Sequence, residues 1–103
     1  YAAGALGNLA ANNPDNQKEI AKAGAIEPLI EVLRNGEDFY NATWALRDLA
    51  ANNPDNQKAI MGKLVESLKD GTDNQKRLVA EALEYLATNN PDNKNAYYLK
   101  LVQ

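Results

Sequence analysis

Cysteine and histidine are both missing from the 103 residues. The chain therefore forms no disulfide and offers no thiol nucleophile, no imidazole general base and none of the usual zinc ligands other than carboxylates. No apolar run approaches the roughly 18 residues of a membrane span, and no basic-plus-apolar leader opens the sequence. Gly-rich phosphate loops and nucleophile motifs are absent as well. Basic charge is in short supply. The 11 Lys and Arg against 14 Asp and Glu leave a net charge of −3 and a pI near 4.8. The cations are also scattered instead of striped, which disfavours a phosphate backbone as partner. The expected partner is a protein or peptide, with no nucleic acid, no membrane and no cofactor. One carboxylate pair, Asp48 and Glu81 on neighbouring helices, is the sole arrangement suited to acid–base work. Such work also needs an enclosed cleft and separated pKa values, so an enzyme is not expected. The missing leader and the missing cysteine point to an intracellular setting. Tyr at position 1 in place of Met reads as a processed, excised or engineered piece.

What is present is repetition. Asn12-Asn13-Pro14-Asp15-Asn16-Gln17-Lys18 returns unchanged as Asn52-Asn53-Pro54-Asp55-Asn56-Gln57-Lys58, and Asn89-Asn90-Pro91-Asp92-Asn93-Lys94 is a decayed third copy. The prolines at 14, 54 and 91 lie 40 and 37 residues apart, periods typical of stacked helical repeats. Each copy has the chemistry of a joint between helices. Asn tolerates the left-handed angles that end a helix, Pro suits the first turn of the next, and Asp15 and Asp55 sit where a carboxylate meets a helix N-terminus.

Taken in order, 1–11 reads as a helix in which Leu6, Leu9 and Ala10 share a face and the small residues allow close packing. A short helix over 14–23, with Ile20 as its apolar anchor, ends at Gly24. The 25–35 segment carries Ile26, Leu29, Ile30 and Leu33 at the spacing of a buried stripe, with Pro28 tolerated in its first turn. Asn35-Gly36 is a stop, and Glu37 and Asp38 open a helix to about Ala51 with Phe39, Ala42, Ala45, Leu46 and Leu49 inward. The second repeat is abridged. Only Met61, Gly62 and Lys63 separate Ile60 from Leu64, so its first two helices are expected to be shortened or partly merged. A last long helix runs from 72 to about 88 with Leu78, Val79, Ala82, Leu83 and Leu86 inward. Beyond it Tyr97, Tyr98, Leu99, Leu101 and Val102 read as a cap or an interface.

The segments Ala2-Ala3-Gly4-Ala5-Leu6-Gly7-Asn8-Leu9-Ala10 and Thr43-Trp44-Ala45-Leu46-Arg47-Asp48-Leu49-Ala50 resemble the third helix of armadillo repeats. Asn16-Gln17-Lys18-Glu19-Ile20, Ala23-Gly24-Ala25-Ile26 and Leu29-Ile30-Glu31-Val32-Leu33 resemble the first two helices of the same unit. The resemblance covers nearly the whole chain. It implies an all-α fold, a right-handed α-solenoid of three-helix repeats incomplete at both ends. Residues 1–13 form an orphan third helix, 14–53 a full repeat, 54–90 a shortened repeat and 91–103 a partial repeat or C-terminal cap. The near-identity of the joints also resembles a consensus-based or engineered sequence, which recent natural duplication would equally produce.

In armadillo proteins such as importin-alpha and beta-catenin the third helices line a concave groove that holds an extended peptide. By position the groove's Asn row becomes Asn8, Asp48 and Tyr85 here, and its Trp row becomes Gly4, Trp44 and Glu81. Independently of the family, a spacing of four puts Trp44 and Asp48 on one helix face, as it does Glu81 and Tyr85, and Tyr40 and Asn41 extend the first surface by a turn. An indole beside a carboxylate suits Lys or Arg. The expected peptide-binding set is thus Asn8, Tyr40, Asn41, Trp44, Asp48, Glu81 and Tyr85. The bland readings stand beside it: Trp44 as packing between repeats, Asn8, Asp48 and Glu81 as solvated helix positions. A structural or engineered scaffold that forms a homo-oligomer through its end helices is the alternative to a peptide-binding module.

Overall fold

The computed structural model describes residues 2–89. The third joint beyond residue 89, and the segment containing Tyr97 and Tyr98 that was expected to cap the array, lie outside the described residues. The described chain is all-α, with no strand in it. Its helices are α1 (Ala2–Ala10), α2 (Pro14–Lys22), α3 (Ile26–Asn35), α4 (Phe39–Ala50), α5 (Pro54–Ser67) and α6 (Asp73–Asn89).

The two described joints have the same backbone. Asn12 and Asn52 take left-handed φ values of 55° and 56°, which a short polar side chain tolerates better than most residues do. Asn13 and Asn53 come next in extended conformation as N-caps, each accepting from a backbone N–H three residues on, Asn16 at 3.0 Å and Asn56 at 3.1 Å. One Asn therefore ends a helix and the next begins one, with Pro at the first helical position where its missing N–H costs nothing.

The side chains just past the prolines then close the previous helix. Asn16 donates to the Leu9 carbonyl at 2.7 Å, and Asn56 donates to the Leu49 carbonyl at 2.9 Å. At the second joint the coverage is extensive. Gln17, 3% exposed, reaches from α2 to the carbonyls of Asp48 and Ala51 at 2.8 and 2.9 Å, and Gln57 donates to Ala50 at 2.9 Å. The carbonyls at the end of α4, which have no partner inside their own helix, thus receive four amide hydrogen bonds. Asn56 also donates to the Gln17 carbonyl at 3.1 Å, tying one joint to the other.

Other boundaries have local causes. Gly24, at φ 90°, ends α2 as a Schellman motif in which Ala25 N–H bonds Ile20 and Gly24 N–H bonds Ala21. In the second repeat the residues that make this bend are missing, and the chain runs on as the single helix α5, 14 residues long. Thr72 and Gln75 form a capping box at the start of α6: Gln75 N–H donates to Thr72 Oγ1, and Thr72 N–H donates to Gln75 Oε1.

The core is built from the apolar stripes of α3 to α6. Ile26, Leu29, Ile30 and Leu33 are all buried, as are Ala42, Ala45, Leu46 and Leu49, with Ile60, Met61 and Leu64 from α5 and Val79, Ala82, Leu83 and Leu86 from α6. Phe39 and Leu78, expected inward, are only partly buried. Two expectations are corrected. On α2 the deeply buried residue is Gln17, while Ile20 is partly exposed. On α1 the buried face is Ala3, Gly7 and Ala10, whereas Leu9 is 56% exposed. The cause is the neighbour. α1 lies mainly against α4, so closely that a Cβ on Gly7 would stand 3.3 Å from the Cα of Ala45. At that approach a small-residue stripe packs and a leucine does not.

This packing sets two stability outcomes. Asn56→Ala leaves the Leu49 carbonyl without its side-chain donor in a buried place and removes the tie to the Gln17 carbonyl, which keeps its bond within α2; it is expected to cost about 1–3 kcal/mol, against under about 1 kcal/mol for Asn16→Ala at the more exposed joint. Urea unfolding of both variants checks the order, and equal losses would contradict it. Thr43 is 2% exposed and its hydroxyl has no hydrogen-bond partner among the described residues. Thr43→Val is therefore expected to stabilise by about 1 kcal/mol, seen as a higher Tm, because a buried hydroxyl without a partner is a net cost.

Candidate functional site

α4 presents Tyr40, Trp44 and Asp48 one turn apart along an outward-facing ridge. The apolar positions of the helix face the core, so the period of 3.6 leaves these residues on the opposite side. Tyr40 is 70% exposed and Trp44 44% exposed. Their rings lie 6.3 Å apart at 47°, and Phe39 meets Tyr40 edge-on at 5.4 Å, spacings at which aromatic pairs attract. Trp44 is therefore not sealed inside the packing.

Between this ridge and α1 lies an open hollow of about 260 Å³, lined among others by Gly4, Asn8, Asn41, Trp44, Arg47 and Asp48. Two glycines make the room. A Cβ on Gly4, the position where the resemblance has Trp, would meet nothing within 4 Å, whereas one on Gly7 would come 3.2 Å from Asp48 Oδ2. Gly7 thus lets α1 close on α4, and Gly4 leaves the space above it open.

The expected site residues divide into groups. Asn8, Asn41, Trp44 and Asp48 meet around the one hollow, and Tyr40 borders it through its contact with Trp44. Asn41 is engaged within its own helix start, donating through Nδ2 to Asp38 Oδ1 at 3.0 Å. Glu81 and Tyr85 belong to α6 and are not part of that lining. The Glu81 carboxylate is paired with Arg77 one turn earlier at 2.9 Å, and both side chains are about half exposed, so the pair adds little to stability.

Arg47 is outside the expected binding set, and it joins the two groups. Its Nε and Nη2 donate to Asp48 Oδ1 at 3.3 and 3.1 Å, and its Nη1 donates to the Tyr85 hydroxyl at 3.0 Å. Desolvation works to lower the Arg47 pKa, but hydrogen bonding and attraction to Asp48, with a smaller contribution from Tyr85, outweigh it and raise the value. The guanidinium is charged at any ordinary pH, and Asp48 faces the hollow already ion-paired to it. The Arg47-Asp48 dipeptide was a weak signal, because adjacent helical residues do not usually face each other. Only the length of the arginine and the position of Tyr85 make the bridge.

Among the described residues no group of three carboxylates is placed to hold a metal ion, and no helix is long and apolar enough to cross a membrane. Comparisons with protein-family models, with curated proteins and with solved structures give no match.

Proposed function

We propose that the chain is a protein- or peptide-interaction module, an armadillo-type α-solenoid in which α1, α4 and α6 act as successive third helices and hold an extended peptide containing Lys or Arg. The observation that carries this reading is the exposed Tyr40–Trp44 pair beside a hollow with amides on both walls and a carboxylate within it. Each part suits a part of such a ligand. Asn8 can donate to and accept from a peptide backbone, the indole offers its face to a side-chain stem and its cation, and Asp48 supplies an acceptor. The repeated joint backbone supports the repeat architecture. The continuous α5 makes the second unit shorter than the first.

The test is calorimetric titration with capped Lys- and Arg-containing peptides, monitored in parallel by the emission of Trp44. Binding weakened about tenfold or more by Trp44→Ala combined with Asp48→Ala is expected, equivalent to about 1.4 kcal/mol or more. Affinity unchanged in the double variant would sink the assignment. Disappearance of all binding at modest salt would reduce it to diffuse attraction between exposed charges.

One observation favours the scaffold reading. Leu9 projects 56% exposed from α1, one of the end helices through which copies would stack on that reading. On that reading the mass in solution rises with concentration and Leu9→Glu returns the protein to a monomer. A wild-type monomer at all concentrations argues against it.

A further inference from the structure

We infer that Arg47 sets the selectivity of the hollow by acting as a built-in competitor for cations at Asp48. The inference rests on the peptide-binding reading and deepens it. The guanidinium is held at both ends, by Asp48 Oδ1 on its own helix and by the Tyr85 hydroxyl on α6. It is not a loose surface side chain that swings aside at no cost. The Arg47 side chain is 41% exposed and that of Asp48 20%, so the pair is accessible from solvent and its contact is only partly screened.

A ligand ammonium or guanidinium arriving at Asp48 meets a carboxylate that already has an ion-pair partner on Oδ1. It has two courses. It can displace Arg47 and break the bonds to Asp48 and Tyr85, or it can settle for Oδ2, the oxygen that lies over Gly7 on the α1 wall. Either way the gain from its charge is reduced. A neutral donor, such as a glutamine side chain or a backbone N–H, brings little charge for Arg47 to offset and can bond Oδ2 directly. Its binding is therefore nearly insensitive to Arg47. The consequence is a site that distinguishes poorly between Arg and Gln in the ligand while Arg47 is present, and well once it is removed.

The experiment measures a ratio. A capped peptide of Arg, Ala and Gly, and its counterpart with every Arg replaced by Gln, are titrated into the wild type, Arg47→Ala, Arg47→Lys, Tyr85→Phe and Lys18→Ala, each first checked for cooperative thermal unfolding. In Arg47→Ala the preference for the Arg peptide is expected to grow about three- to tenfold, the size set by losing a partly exposed competing ion pair. Arg47→Lys retains a cation beside Asp48 and should keep the preference low, Tyr85→Phe should raise it partway, and Lys18→Ala, which removes the same unit charge from an exposed position on α2, should leave it unchanged. If the wild type binds and Arg47→Ala shows the same ratio, the role of Arg47 is overturned while the peptide-binding reading stands. Equal gains for both peptides also overturn it, since Arg47 would then act only by its bulk. If neither peptide binds either protein, the peptide-binding reading itself fails and the role of Arg47 fails with it.

Discussion

A helix that ends beneath its neighbours leaves carbonyl groups that water cannot reach, and they need donors from elsewhere. At the end of α4 those donors are amides. Gln17 from the preceding joint serves Asp48 and Ala51, Asn56 serves Leu49, and Gln57 serves Ala50. This network does more than close one helix. Gln17 and Asn56 also link the joint before α4 to the joint after it, so the placement of α2, α4 and α5 depends on a few side chains of one type. These bonds anchor the end of α4, while its buried stripe of Ala42, Ala45, Leu46 and Leu49 turns the opposite face outward.

The face that results is uneven. Toward α1, glycines replace the bulk expected at a helix contact, and a hollow remains with Trp44 and Asp48 on one wall and Asn8 on the other. Toward α6, Arg47 spans the gap to Tyr85, and Glu81 is paired with Arg77 on its own helix. Of the proposed binding residues, Asn8, Asn41, Trp44 and Asp48 are therefore the ones gathered between α1 and α4. The carboxylates proposed to attract a basic ligand, Asp48 and Glu81, each carry an arginine of the chain itself. Attraction of a cation is consequently weaker than the bare acidic residues suggest, and the aromatic pair carries a larger share of any recognition.

Much of the fold was legible because it has local causes. The stripe of Ile26, Leu29, Ile30 and Leu33 is buried as its spacing requires. The duplicated joints adopt the same backbone because the same short sequence meets the same demand to stop and restart a helix. Between Ile60 and Leu64 the residues that make the Gly24-type bend are missing, and Gly62 stays helical within the continuous α5. In the site, the spacing of four that put Trp44 with Asp48 was also readable, since a helix face is a property of one segment. What escaped was relational. Leu9 looked like core on apolarity alone, yet α1 packs by Ala3, Gly7 and Ala10. Gln17 looked like a surface amide in a polar motif, and it is among the most buried polar residues in the structure.

The sequence by itself determined where helices start and stop, which stripe of α3 faces inward, and that Tyr40, Trp44 and Asp48 share one ridge, because caps, turns and helical periodicity act over a few residues. Only the tertiary structure decided that Gly7 lets α1 lie close to α4, that Gln17 serves carbonyls 31 and 34 positions away, and that Arg47 is held between Asp48 and Tyr85. Each of these depends on the distance between segments remote in sequence. That distance is set by how whole faces pack, which no single segment encodes.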